Sequence, residues 1–86
     1  MPEISRFYGI VIRMYYNDHA PPHFHACYGS EEMLVSIETL DMLAGSLPSR
    51  AKKLVMEWAQ LHHSELPLRW QQARNMEQIT KIAPLT

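Results

Sequence analysis

The sequence predicts an α+β fold, a small antiparallel three- to four-stranded sheet with one face covered by a long or kinked C-terminal helix. Two observations support this prediction. The first half of the chain has short runs rich in β-branched and aromatic residues that alternate with polar ones, which is typical of half-buried strands. The second half changes to helical spacing of its apolar residues. Because the connections between strands are too short for a parallel crossover, we expect an antiparallel meander.

The predicted strands share an alternation that divides their side chains between two faces. They are 10–16, 23–28, 33–37 and, as a short fourth strand, 39–44. The alternation assigns to the core face Ile10, Ile12, Met14, Phe24, Ala26, Tyr28, Met33, Val35 and Ile37. The opposite face, which the helix leaves uncovered, receives Arg13, Tyr15, His23, His25 and Cys27.

A helix is predicted from about Ser49 to about Asn75. Its apolar stripe consists of Ala51, Leu54, Val55, Trp58, Ala59, Leu61, Leu66, Trp70 and Ala73. Pro67 lies inside this run, so either one helix is kinked there or Ser64 caps a second helix whose first turn holds the proline. The continuous phase favours a kinked or closely broken helix. The tail, 79–85, is expected to pack back as an extended arm.

Composition limits the classes of function. The 86 residues are expected to form a single domain, 1–86, and the net charge of −1 gives no general attraction to nucleic acid or anionic lipid. The only cysteine, Cys27, cannot form an internal disulfide, which fits a reducing compartment. No apolar run approaches the length of a membrane span, and the N-terminus lacks the pattern of a signal peptide. We therefore expect a cytoplasmic protein without membrane contacts.

The strongest functional pattern lies in the segment 17–26. Three of the five histidines, His19, His23 and His25, fall within seven residues. His23 and His25 are two apart and share one face of a strand. They could supply two nitrogens to zinc or another divalent transition metal, with His19 or Asp18 as a third ligand.

A second interpretation needs no metal or other cofactor. Cleavage of RNA requires a base, an acid and a cation near the phosphate. His23 and His25 could be base and acid, Arg13 the cation, and Tyr15 could position a phosphate or stack on a base. The near-neutral charge weighs against a basic RNA groove. A third interpretation is a histidine face that binds a protein without catalysis.

Several motifs together resemble a family of small bacterial proteins, the domain of unknown function 4160 family. They are the Pro-Pro-His-Phe-His segment within 15–26, together with 4–10, 45–50, 54–59, Trp70 and 82–85. Pro67 departs from the uninterrupted helix expected of that family. The resemblance implies the toxin side of a two-gene toxin–antitoxin module, with a small cognate partner encoded by a neighbouring gene. RNA is the target under the acid–base interpretation. A non-catalytic binding or regulatory module is the alternative, and a homodimer stays open.

Overall fold

Each strand of the sheet pairs antiparallel with its neighbour in the sequence, in the order β1-β2-β3-β4-β5. The computed structural model describes residues 2–86. The strands are β1 (Glu3–Phe7), β2 (Ile10–Arg13), β3 (His23–Tyr28), β4 (Glu31–Ser36) and β5 (Met42–Gly45). The predicted antiparallel meander is confirmed. The predicted number of three to four strands is too low, because the described residues form five.

The strand that the sequence did not reveal is β1. Its ladder with β2 shifts register between Glu3 and Ser5, and Ile4 and Ser5 are both buried. A bulge of this kind puts two consecutive residues opposite one and interrupts the alternation of faces. The period-two pattern on which strand prediction depends is therefore absent from β1.

The predicted long helix is broken into two, α1 (Ser49–Leu61) and α2 (Leu66–Arg74). Pro67 lies in the first turn of α2, where a residue without an N–H is tolerated. In a continuous helix its ring would clash with the carbonyl of His63, so the chain turns before it. The residue that precedes α2 is Glu65, not the predicted Ser64, and no side chain caps the helix.

The core lies between one face of the sheet and the apolar stripe of the helices. Trp58 is fully buried, and its ring centroid lies 5.7 Å from those of Phe7 and Phe24. The predicted inward residues of β2, β3 and β4 are buried, except that Tyr28, at the end of β3, is 40% exposed. Leu61 is 66% exposed, because α1 ends there and the predicted stripe does not continue through it.

The C-terminal tail packs back as predicted. Ile79 and Ile82 are buried, and the Ile82 N–H donates to the Ile4 carbonyl at 2.8 Å. Trp58 Nε1 donates to the Ala83 carbonyl at 2.9 Å, so the arm is joined to both the edge strand β1 and helix α1. Among residues 2–86, no helix is long and apolar enough to cross a membrane.

Candidate metal centre

The candidate site lies at one end of the sheet, where the turn after β2 meets the start of β3. The turn supplies Asp18, and β3 supplies His23 and His25, which alternation places on the same face. Asp18 is oriented by its own turn, because its Oδ1 accepts a hydrogen bond from the His19 N–H at 3.0 Å. Its other oxygen, Oδ2, is directed at the two rings.

Three potential ligand atoms converge at this point. The Nε2 atoms of His23 and His25 each lie 3.0 Å from Asp18 Oδ2. All three atoms lie within 4.8 Å of one another. The arrangement brings two imidazoles and one carboxylate oxygen to a common centre.

The protonation state of His23 follows from its other ring nitrogen. His23 Nδ1 lies 2.7 Å from the Pro21 carbonyl oxygen, which can only accept, so Nδ1 carries a proton. In the neutral ring, Nε2 then carries a lone pair, and this lone pair faces the Asp18 carboxylate. The contact with Asp18 is close but lacks hydrogen-bond geometry, and the buried Nε2 has no hydrogen-bond partner.

His25 lies between two carboxylates. Its Nδ1 is 3.0 Å from Glu32 Oε2, and its Nε2 is 3.0 Å from Asp18 Oδ2. A neutral imidazole has only one N–H and cannot donate to both. The ring is an imidazolium that donates to both carboxylates, a neutral ring that donates Nε2–H to Asp18, or a neutral ring that donates Nδ1–H to Glu32. Only the last form directs an Nε2 lone pair at the centre.

Burial separates the centre from bulk water. The side chains of His23, His25 and Asp18 are 2%, 12% and 14% exposed. Burial is the largest influence on Asp18 and raises its pKa. The hydrogen bond with His25, the proximity of His23 and the backbone N–H of His19 together outweigh it, so the pKa of Asp18 lies below its ordinary value. Asp18 is therefore an ionised carboxylate at neutral pH.

The sequence predicted that His23 lies on an uncovered face of the sheet, and this prediction is wrong. Its ring packs 5.4 Å from that of Trp70, which α2 brings over this end of the sheet. The expectation that Trp70 is a core residue is confirmed, since it is 7% exposed. One side chain of the helical stripe thus covers a ring of the candidate site.

The other residues singled out from the sequence surround the centre. The side chain of His19 is 86% exposed, and its Nδ1 lies 3.2 Å from Asp18 Oδ1, outside the three-atom group. The Tyr15 ring meets that of His25 edge-on at 4.5 Å. Arg13 Nη1 lies 3.7 Å from Cys27 Sγ.

Glu32 is a residue of the site that the sequence pattern did not predict. Its position follows from the two-residue turn Gly29-Ser30, which pairs Tyr28 with Glu31 and therefore Cys27 with Glu32. A hairpin register derived from that turn would have placed Glu32 beside the histidine face. Asp18 was foreseen only as an alternative to His19.

Cys27 shares this face but is not an activated nucleophile. Burial first, and the carboxylate of Glu32 second, raise the pKa of its thiol, and the opposing effect of Arg13 is smaller. The thiol is therefore protonated at neutral pH, the form that is poorly reactive.

These features define an α+β meander protein with a two-histidine, one-carboxylate centre on its third strand and preceding turn. Over residues 9–71, the chain matches the family model described as Domain of unknown function (DUF4160), and it belongs to that family. The matched range includes every ligand atom of the candidate centre. No curated protein and no solved structure matches the chain.

Proposed function

We propose that this protein binds one divalent transition-metal ion through Asp18 Oδ2, His23 Nε2 and His25 Nε2. The observation that carries the proposal is the orientation of the two rings. Each ring directs Nε2 at the same carboxylate oxygen and places Nδ1 against an acceptor, the Pro21 carbonyl or Glu32.

That orientation is the usual one for histidines that ligate metals. Such residues donate their second ring N–H to a backbone carbonyl or a carboxylate, which fixes the tautomer and raises the basicity of the ligating nitrogen. If His23 is neutral, its Nε2 lone pair faces the Asp18 carboxylate oxygen at 3.0 Å, and this contact is unfavourable unless a proton or a metal ion lies between the two atoms. A metal ion between them converts this unfavourable contact into two favourable bonds.

The ligand set also favours a class of metal and of reaction. Imidazole nitrogens with one carboxylate suit zinc and other transition ions such as Fe²⁺. Three protein ligands leave a coordination position for water, whose pKa the ion lowers toward neutrality. We therefore propose a metal-dependent hydrolytic centre.

The metal-independent acid–base mechanism has less support from this geometry. His23 is 2% exposed, and both Nε2 atoms are directed at one oxygen atom. An acid and a base that act on a phosphodiester need access to opposite sides of the phosphorus. The metal interpretation uses both rings as they lie.

The test is metal binding by untagged protein. We expect one zinc or cobalt ion per chain by elemental analysis after dialysis, and loss of that stoichiometry in Asp18→Asn and in His23→Ala/His25→Ala. The matched control is His19→Ala, because His19 is adjacent but exposed, and we expect it to retain the ion. Circular dichroism establishes that each variant is folded. Equal metal content in wild type and the folded Asp18→Asn variant would overturn the proposal.

For the biological role, we propose the toxin-like component of a two-gene module, with a small cognate protein as its partner. The resemblance described above supports this role. We expect controlled expression in bacteria to arrest growth, and His23→Ala/His25→Ala at matched soluble levels not to do so. The integrity of cellular RNA would then be examined. Normal growth with wild type would contradict the role and favour a non-catalytic binding module, without bearing on metal binding.

A further inference from the structure

We infer that the metal centre and Arg13 together bind an oxyanion, the phosphate or carboxylate group of an anionic substrate. This inference rests on the proposed metal site and adds the class of ligand that the site accepts. It depends on the environment of Arg13, on the charge balance of the site and on the space beside it.

Arg13 lies beside His25 in the sheet and has only a weak hydrogen-bond acceptor. Its Cα is directly opposite that of His25 in the β2–β3 ladder, and its side chain is half-buried. A guanidinium has five N–H donors, yet its side-chain contact is the Cys27 sulfur at 3.7 Å, a weak acceptor. Among residues 2–86, no carboxylate forms an ion pair with it.

Two carboxylates on nearby strands, Glu3 and Glu32, are engaged elsewhere. Glu3 lies opposite Arg13 in the β1–β2 ladder, but it accepts two hydrogen bonds from Arg6, at 2.8 and 3.2 Å. Glu32 approaches the same Cys27 sulfur at 3.8 Å, but it is hydrogen-bonded to His25 Nδ1. Arg13 is therefore a half-buried cation whose acidic neighbours are directed at other partners, which leaves its fork of donors for an external anion.

The charge balance makes this anion site dependent on the metal. With neutral histidines, Asp18 and Glu32 outnumber Arg13, and the site carries one excess negative charge. A divalent ion reverses the sign and leaves one excess positive charge. An oxyanion is thus repelled from the metal-free site and attracted to the loaded one.

The structure also provides space for the rest of a substrate. A surface cavity of about 530 Å³ is lined by Glu3, Tyr15, Tyr16, Pro2, Gln78 and Ile79. Glu3 faces Arg13 across the ladder, and Tyr15 contacts the ring of His25. The cavity is thus lined by a neighbour of Arg13 and a neighbour of His25, although neither Arg13 nor a proposed metal ligand lines it.

The experiment uses cobalt-loaded protein, with inorganic phosphate and acetate as probes. Calorimetry measures anion affinity, and the visible absorption of cobalt reports on coordination. We expect phosphate to bind the loaded protein but not the metal-free protein. In Arg13→Met, phosphate affinity should fall by about tenfold or more with cobalt affinity unchanged. The phosphate affinity of Arg13→Lys should lie between those of wild type and Arg13→Met, because lysine keeps the charge but lacks the forked donors of the guanidinium.

The matched control is Arg50→Met, which removes the same charge from an exposed position at the start of α1. We expect it to bind phosphate as wild type does. The acetate titration shows whether the site prefers a phosphate or a carboxylate.

Each remaining outcome separates the two proposals. If the loaded wild type binds neither anion, or if Arg13→Met and Arg50→Met bind phosphate as wild type does, the oxyanion inference is overturned and the metal proposal stands. Phosphate binding by the metal-free protein would overturn the dependence on metal. If the wild type binds no cobalt or zinc, the metal proposal fails, and the inference fails with it.

Discussion

At the scale of single residues, Glu32 supports the centre through the ring of His25. In the metal-bound form that we propose, its carboxylate accepts the Nδ1 proton, which would keep the ring in the tautomer that offers Nε2 to a metal. Its side chain is 46% exposed, so the hydrogen bond is held by the geometry of the β3–β4 hairpin.

Glu32→Gln should weaken zinc binding by about tenfold, because an amide oxygen is a poorer acceptor for the His25 proton than a carboxylate. Competition with a chromophoric chelator measures the change. Glu31→Gln is the control, since Glu31 is the adjacent exposed residue on the opposite face. Identical zinc affinity in Glu32→Gln and wild type would show that this hydrogen bond does not tune the ligand.

Cys27 should be alkylated slowly. Since burial and Glu32 raise the pKa of its thiol, the thiolate fraction at pH 7.5 is small. We expect iodoacetamide to react with the folded, metal-free protein about tenfold more slowly than with the same protein in denaturant. Mass spectrometry of timed samples gives both rates. Equal rates would mean that the fold neither shields the Cys27 thiol nor raises its pKa.

At the scale of elements, the approach of β5 to β4 depends on one glycine. Gly45 has a φ of +70°, and a Cβ at this position would lie 2.1 Å from the Glu32 carbonyl oxygen. A side chain there would push β5 away from the strand segment that carries Glu32. Gly29, in the β3–β4 turn, also has a positive φ of +59°, but a Cβ would meet nothing within 4 Å.

These two glycines form a matched pair for mutation. Gly29→Ala should cost about 1 kcal/mol of unfolding free energy, the strain of a left-handed alanine. Gly45→Ala should cost about 3 kcal/mol or more, because a clash with backbone is added to the strain. Urea denaturation of the two variants measures both. Equal losses would show that β4 and β5 can separate without cost.

The elements also show where sequence reasoning succeeds. The alternation of Ile10, Ile12 and Met14 correctly identified the covered face of β2 and its extension, because a one-sided core imposes period two. The apolar pattern did not reveal β1, where a bulge breaks the period. At Pro67 it left open whether one helix is kinked or a second begins, because the stripe keeps its phase across the break. The spacing of apolar residues indicates which side chains are buried, but it does not indicate whether the helix between them is continuous.

The sequence also predicted the candidate site only in part. Spacing placed His23 and His25 on one face, but the burial of His23 depends on Trp70, which lies far away in the sequence. The orientation of the rings depends on Pro21 and Glu32, whose roles become visible only when the turn and the hairpin register are known. Local patterns therefore identified the two histidines and offered Asp18 only as an alternative to His19, and the tertiary fold determined their environment.

At the scale of the whole molecule, the ion should stabilise the fold, because the three ligands come together only when the turn and β3 are in place. Zinc at one hundred times its dissociation constant should add about 2.7 kcal/mol of stability. For a chain of this size, that amounts to a rise in Tm of roughly 10 °C or more. Differential scanning calorimetry with zinc, and again with excess chelator, measures the shift. The same shift in Asp18→Asn would place the stabilising ion elsewhere.

The C-terminal arm has a consequence for how the protein is made. Strands β1 to β5 pair with sequential neighbours and can form hairpins while later residues are still being synthesised. The hydrogen bond from Ile82 to Ile4 joins the C-terminal arm to the first strand, and that from Trp58 to Ala83 joins it to helix α1. The outer edge of β1 and the indole N–H of Trp58 therefore lack these two partners until residues 82 and 83 have been synthesised, whereas the five strands of the sheet need only residues 3–45.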